Sequence, residues 1–140
     1  EYIDIDWVVD GKVEDPWPMA DWLTFPFDVE DPEYRLYRLG GVIDPANDIV
    51  KDTQTNNLAL DGGMTIVGKN GKGIGLCSKD APLVSIGKPG IWKFDKGEGA
   101  FSPEEPTVFL NLFNNQWDTN YPTWNGGNWS TNVKIWAVDE

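Results

Sequence analysis

The sequence predicts an all-β fold, an antiparallel β-sandwich of about eight to ten short strands. Short apolar segments alternate with polar residues at a period of two, which is the pattern of a half-buried strand. Turns rich in Gly, Pro, Asn and Asp separate these segments at intervals of about eight to twelve residues. The length indicates a single domain, residues 1–140. Because the chain opens directly in a strand-like pattern, we expect it to be a piece of a longer multidomain protein.

The first strands are predicted near the amino terminus. Residues 2–9 alternate apolar side chains with aspartates, so they form a strand with one polar face. The segment Gly11–Asp21 contains two prolines and is predicted to be an irregular connection. Leu23–Phe27 is apolar, but Pro26 cannot donate a hydrogen bond to a neighbouring strand, so an edge strand or a bulge is predicted there. Tyr34–Leu39 alternates again and is the next predicted strand.

A turn-rich loop separates these strands from the remaining ones. The loop begins at Asp44 and runs to about Asp61. The later predicted strands are Met64–Val67, Gly73–Cys77, Leu83–Ile86, Ile91–Phe94, Val108–Phe113 and Asn132–Val138. In the closing strand Trp136 has the opposite orientation to Val133 and Ile135. We expect the β-branched residues to face the core and Trp136 to point outward.

Charge and composition exclude several classes of function. The chain has 11 Lys and Arg against 23 Asp and Glu, a net charge of −12, so we expect neither nucleic acid nor an anionic membrane as a partner. It contains no histidine, which removes Ser-His-Asp and Cys-His catalysis and the commonest zinc ligand. Paired carboxylates could still hydrolyse glycosides, but with 23 acids their presence carries little information. The single cysteine, Cys77, is expected to be a buried small side chain. We therefore predict that the chain is not an enzyme.

The segment from Leu110 to Val138 combines aromatic rings with amides, and it holds four of the eight tryptophans. Aromatic faces stack on the C–H groups of a pyranose, and amides and carboxylates bind its hydroxyls. The alternative is a packed corner, because tryptophan in a small domain is more often buried than exposed. Much of the segment has the composition of a loop, which favours exposure. The predicted carbohydrate-binding residues are Trp117, Asp118, Asn120, Tyr121, Trp124, Asn125 and Trp129.

A second candidate site lies at the start of the central loop. Asp44, Asn47 and Asp48 place oxygen ligands close together, as a calcium site requires. The glycine-centred spacing of a calcium loop is missing, and Asp-Pro followed by Asn and Asp is ordinary turn chemistry. We predict no obligatory cofactor. Calcium at these three residues is the one candidate, and a plain turn is the favoured alternative.

One longer string resembles a known family. Residues 111–124, NLFNNQWDTNYPTW, resemble the signature LYNNxWGTNFPxW of the C-terminal β-sandwich region of family 38-like glycoside hydrolases and their uncharacterised relatives. Asp118 stands where the family pattern has glycine, the residue that turns use for backbone freedom. Further matching segments, in chain order, are Ile3–Trp7, Pro18–Phe27, Leu39–Asp48, Lys79–Ser85 and Gly87–Phe94.

The resemblance implies a non-catalytic role. In that family, catalysis belongs to an N-terminal domain with a zinc ion and an aspartate nucleophile, and no catalytic residue of that domain has a counterpart here. The C-terminal sandwiches are similar to the galactose-mutarotase-like supersandwich. We therefore expect a carbohydrate-binding module for a neutral polysaccharide or oligosaccharide, at an extracellular or cell-surface location. The alternative is a structural domain that packs against an attached glycoside hydrolase domain.

Replacement of Trp124 by Ala is expected to abolish retention in affinity gels that contain β-glucan, xyloglucan, xylan or mannan. Pro122 before it and the glycine pair after it stiffen and expose the predicted turn. The melting temperature should change little, because an exposed ring contributes little to the core. Unfolding of the variant would instead identify Trp124 as a core residue.

Overall fold

A computed structural model describes residues 1–90, 99–116 and 125–139 of the chain. The described residues form two antiparallel sheets packed face to face, which confirms the predicted all-β sandwich. The strands are β1 (Tyr2–Lys12), β2 (Ala20–Pro26), β3 (Glu33–Arg38), β4 (Gly41–Ile43), β5 (Leu58–Ala59), β6 (Gly63–Val67), β7 (Lys72–Ser78), β8 (Leu83–Ile86), β9 (Thr107–Asn114) and β10 (Gly127–Asp139). One short helix, α1 (Pro45–Asp48), lies between β4 and β5.

The two sheets differ in size. Among the described residues, the larger has six strands in the order β1-β10-β7-β6-β3-β4, and the smaller has four in the order β2-β9-β8-β5. Consecutive strands often lie in different sheets, so the chain crosses repeatedly between the two layers. The final strand β10 pairs with both β1 and β7, which joins the two ends of the chain in the larger sheet.

The core lies between the inner faces of the two sheets. Leu36, Leu76 and Val133 of the larger sheet are at most 1% exposed. Val84 and Leu110 of the smaller sheet are 0% exposed. Burial of such a side chain contributes about 1.5–3 kcal/mol relative to leaving it in water. Because side chains alternate along a strand, these buried residues also establish which neighbours point outward.

Strand β2 has one of the two features that its proline predicted, the edge position, and a nearby bulge lies on β9 instead. Strand β2 lies at the edge of the smaller sheet, and Pro26 is its last residue, where a missing N–H leaves the pairing intact. Its pairing with β9 also shifts register between Asp21 and Trp22, because Leu112 is an extra residue on β9. A one-residue insertion of this kind is a β-bulge.

The closing strand begins earlier than predicted. Strand β10 starts at Gly127 rather than at Asn132, so Trp129 lies on a strand, and its prediction as a loop residue is wrong. The physical reason is strand pairing. Trp129 lies opposite Val9, and β1 continues to pair with β10 as far as Gly127. The strand predicted at Ile91–Phe94 lies outside the described residues.

The orientation predicted for Trp136 is confirmed. Val133 and Ile135 are buried in the core, at 0% and 8% exposure. Trp136, the residue after Ile135, lies on the opposite face of the sheet. Its side chain is half-buried, because it packs on Gly75 of the neighbouring strand. Cys77, predicted to be buried, is half-buried on this same outer face.

The predicted central loop contains short regular elements. Helix α1 and strand β5 both fall between Asp44 and Asp61. The first strand is also longer than its alternation predicted, since β1 continues to Lys12. Across the described ranges of the chain, no helix has the length and apolar character needed to cross a membrane.

Leu110→Ala is expected to lower the free energy of unfolding by about 2–5 kcal/mol, because it leaves a cavity at the centre of the sandwich. Leu39→Ala is the matched control, since Leu39 is 86% exposed and its truncation should stay within about 0.5 kcal/mol. Urea unfolding followed by tryptophan fluorescence measures both. Equal losses for the two variants would contradict the assignment of the core.

Candidate functional site

Most of the predicted carbohydrate-binding residues lie outside the described part of the chain. These are Trp117, Asp118, Asn120, Tyr121 and Trp124. Of the remaining two, Asn125 lies just before β10 and Trp129 lies near its start.

The two described members of this set are held by local contacts. Asn125 is exposed, and its backbone carbonyl accepts a hydrogen bond of 2.8 Å from Lys12 Nζ. Trp129 is half-buried, and its ring packs against Phe113 with 5.8 Å between ring centroids. Its indole N–H is buried without a hydrogen-bond partner among the described residues. Lys12 Nζ lies 4.7 Å from the ring centroid of the same Phe113. Trp129, Phe113 and Lys12 therefore pack together in one cluster.

The outer face of the larger sheet carries a band of residues with no or small side chains between β10 and β3, which we call the glycine trough. Its floor consists of the outward positions of β6 and β7, where glycine recurs. One wall comes from β10 and the other from β3. The floor residues are Gly63, Thr65 and Val67 on β6 and Gly73, Gly75 and Cys77 on β7, and the wall residues are Lys134 and Trp136 on β10 and Arg35 and Tyr37 on β3.

Trp136 extends from the β10 wall, and its ring lies flat on Gly75 of the floor. It is the cross-strand partner of Gly75. A Cβ atom at position 75 would collide with Cε2, Cζ2 and Nε1 of the indole, so the ring rests directly on the glycine backbone. One ring face is therefore covered by the sheet while the other is turned away from it. Only glycine at position 75 permits this arrangement, because any side chain would occupy the space of the ring.

Tyr37 provides a second ring on the opposite wall. It is 47% exposed and packs against Gly62, the residue just before β6. A Cβ atom at Gly62 would approach Cδ1 of the ring to 3.0 Å and Cε1 to 3.6 Å. The glycine thus lets the ring lean toward the floor. Both walls of the trough therefore carry an aromatic side chain seated on glycine.

Polar groups beside the Trp136 wall are held by hydrogen bonds. Asn132 Nδ2 donates to Asp4 Oδ1 at 2.5 Å and to Asp6 Oδ1 at 2.8 Å, so one amide orients two carboxylates. Lys134 Nζ lies 3.6 Å from Asp4 Oδ2 and 5.0 Å from the ring centroid of Tyr2. These contacts present carboxylate acceptors and an ammonium donor at defined positions on the outer face.

Arg35 holds the other wall in place. Its guanidinium pairs with Glu33 at 3.0 Å and with Asp44 at 3.2 Å, and it donates to the backbone carbonyl of Tyr34 at 2.9 Å. With partners on both sides, this planar donor is orientated before any ligand arrives. The contact with Asp44 connects the trough to the predicted calcium loop.

The predicted calcium ligands form the N-terminal cap of α1. Asp44 accepts hydrogen bonds from Ala46 N at 3.0 Å and from Asn47 Nδ2 at 2.9 Å, and Asp48 Oδ2 accepts from Asp44 N at 2.7 Å. Burial acts to raise the pKa of the Asp44 carboxyl, but the hydrogen bonds from Asn47 and Ala46 and the charge of Arg35 together lower that pKa below its ordinary value. Most acceptor capacity of Asp44 is thus already used, and calcium at Asp44, Asn47 and Asp48 stays a prediction.

Within residues 1–90, 99–116 and 125–139, no group of three or more Asp, Glu, Cys or His side chains is arranged to hold a metal ion. Comparison of the chain with protein-family models, with curated protein sequences and with solved structures found no match. The resemblance to the family 38-like sandwich region therefore stays a prediction from the motif alone.

Sequence reasoning placed Trp136 on the outer face but did not identify it as part of a site, and it missed Tyr37 altogether. One pattern in the sequence does point to the trough. Gly73 and Gly75 alternate along β7, which removes side chains from one face of a strand. This pattern does not show which strands lie beside β6 and β7. Those neighbouring strands, β10 and β3, supply the rings of Trp136 and Tyr37.

Asp44→Asn should destabilise the protein at pH 7, and the difference from the natural protein should shrink as the pH falls below about 4. The folded-state pKa of Asp44 is lowered from 3.8, so the ionised carboxylate stabilises the fold above the unfolded-state pKa, and this contribution is lost as the pH falls through the folded-state pKa. Asp44→Ala, which also removes the cap, should cost about 0.5–2 kcal/mol at pH 7. Urea unfolding at pH 7 and at pH 3 measures these differences in the free energy of unfolding. A difference for Asp44→Asn that persists unchanged at pH 3 would contradict this role.

Proposed function

We propose that this domain is a non-catalytic carbohydrate-binding module that binds a neutral polysaccharide or oligosaccharide in the glycine trough. The observation that carries the proposal is the indole of Trp136, which lies flat on Gly75 with one face turned away from the sheet. A pyranose stacks on such a face through its C–H groups. The ring is held on a rigid strand, so little conformational entropy is lost when a ligand binds.

The polar groups around the trough suit sugar hydroxyls. Carboxylates accept hydrogen bonds from hydroxyls, and ammonium and guanidinium groups donate to them. Asp4 and Lys134 lie on the Trp136 side, and Arg35 lies on the Tyr37 side. Because Asn132 and the ion pairs already orient these groups, the ligand meets a preorganised set of donors and acceptors.

Charge favours a neutral ligand. The net charge of −12 repels polyanions such as nucleic acids and acidic polysaccharides. Both cationic wall residues are already paired with carboxylates, Lys134 with Asp4 and Arg35 with Asp44. A charged group on the ligand would have to compete with these pairs. A neutral glycan requires no such competition.

A non-catalytic role is consistent with the composition of the chain, which has no histidine for general acid–base work. The predicted residues Trp117, Tyr121 and Trp124 are proposed to add further aromatic contacts to the ligand. Trp129, which packs on Phe113, is proposed to belong with them.

A second candidate function is a structural domain that packs against an attached glycoside hydrolase domain. A groove of about 640 Å³ at one end of the larger sheet favours this alternative. Its apolar lining includes Ile74, Ile3 and Trp136 itself, and Ile3 is 64% exposed. Exposed apolar side chains in a groove are typical of interaction surfaces.

Trp136→Ala is expected to abolish retention in affinity gels that contain β-glucan, xyloglucan, xylan or mannan. Stacking and a few hydrogen bonds, each replacing a contact with water, predict a dissociation constant of about 1 μM to 1 mM for the natural protein. Retention should change little between low and physiological salt, because a neutral glycan brings no charge to screen. Thermal unfolding checks that the variant is folded.

The matched control is Trp17→Ala, since Trp17 is 71% exposed and lies outside the trough. Loss of retention in Trp17→Ala but not in Trp136→Ala would contradict binding in the trough. Retardation by none of the polysaccharides would favour the structural alternative. The same gels run with EDTA test whether calcium at Asp44, Asn47 and Asp48 contributes to retention.

A further inference from the structure

We propose that the glycine trough binds the interior of an extended neutral glycan chain, with Trp136 and Tyr37 stacking on different sugar units of the same chain. This inference rests on the proposed carbohydrate-binding function and specifies its ligand class. The trough would then select chains of several linked units over single sugars and over isolated chain ends.

The spacing of the two rings carries the inference. Trp136 rests on Gly75, whose partner on the neighbouring strand is Thr65. Tyr37 rests on Gly62, which lies three residues before Thr65 in the chain. An extended chain rises about 3.3 Å per residue, so the two seats are about 10 Å apart along the strand direction. A monosaccharide cannot stack on both rings at once, whereas a chain of linked sugars can.

The floor between the two seats leaves room for such a chain. The outward positions there are Gly63, Thr65 and Cys77, and none of their side chains extends beyond the γ position. Lys134 lies on the β10 wall at the level of Tyr37, and Arg35 lies on the β3 wall at the level of Trp136. A ligand lying along β6 and β7 therefore meets polar groups at its sides and rings at its face.

Cys77 provides a direct probe of occupancy. It is the single cysteine of the chain, it is half-buried, and it faces outward on the floor opposite Gly63. A chain that spans both rings passes over this thiol. Bound ligand should therefore slow alkylation of Cys77 by iodoacetamide, and mass spectrometry reports that rate at one site without mutation.

The test measures affinity against chain length. Titration calorimetry with cello-, xylo- and manno-oligosaccharides, from the monosaccharide to the hexasaccharide, is expected to show affinity that rises by at least about tenfold, which corresponds to about 1.4 kcal/mol from the second stacking contact. Tyr37→Ala should remove that rise with chain length. Tyr37→Phe, which keeps the ring, should retain the rise. Trp136→Ala should weaken binding at every length.

The possible results separate this inference from the function on which it rests. Equal affinity for mono- and hexasaccharides, with Trp136→Ala still impaired, would overturn the extended-chain inference and leave the proposed function standing. Glycan binding that neither protects Cys77 nor depends on Trp136 would place the ligand outside the trough. That result would also overturn the extended-chain inference. If no glycan of the series or of the affinity gels binds the folded protein, both proposals fail. Thermal unfolding of each variant confirms that losses are not due to misfolding.

Discussion

The close approach of β6 and β7 depends on the absence of side chains at two positions of their shared face. A Cβ atom at Gly73 would collide with the backbone of Ile66 and Val67, and one at Gly63 would collide with the carbonyl oxygen of Leu76. Glycine at these positions therefore permits the central pairing of the larger sheet. The same absence of side chains opens the trough above it. One steric constraint thus serves both the fold and the candidate site.

The two faces of the larger sheet have different roles because burial differs so strongly between them. The inner face carries aliphatic side chains that exclude water and supply most of the stability. The outer face carries paired charges and amide bridges, which contribute little to stability at an exposed surface. What these polar contacts provide is orientation. Rings and hydrogen-bonding groups are thereby held in position on a scaffold whose stability comes from the other face.

The prediction from sequence was most successful where local chemistry decides the structure. Alternation at a period of two identified most strands, and Pro26 favoured the edge position that β2 has. It was wrong for Trp129, whose surroundings of Asn, Gly and Ser have the composition of a loop. Pairing with Val9 across the sheet overrides that local preference, because the ladder and the contact with Phe113 stabilise an extended backbone there.

The sequence by itself determined the fold class, the polar and apolar faces of the strands and the acidic charge that disfavours polyanionic partners. It also determined that Trp136 lies on the opposite face from Val133 and Ile135, since side chains alternate along a strand. Only the tertiary structure decided which strands are neighbours. Trp136 and Gly75 are distant in the chain, as are Tyr37 and Gly62, and no periodicity reveals that each ring is seated on its glycine. Strand order depends on how two whole sheets bury their apolar faces together, and this global requirement is not contained in any single segment.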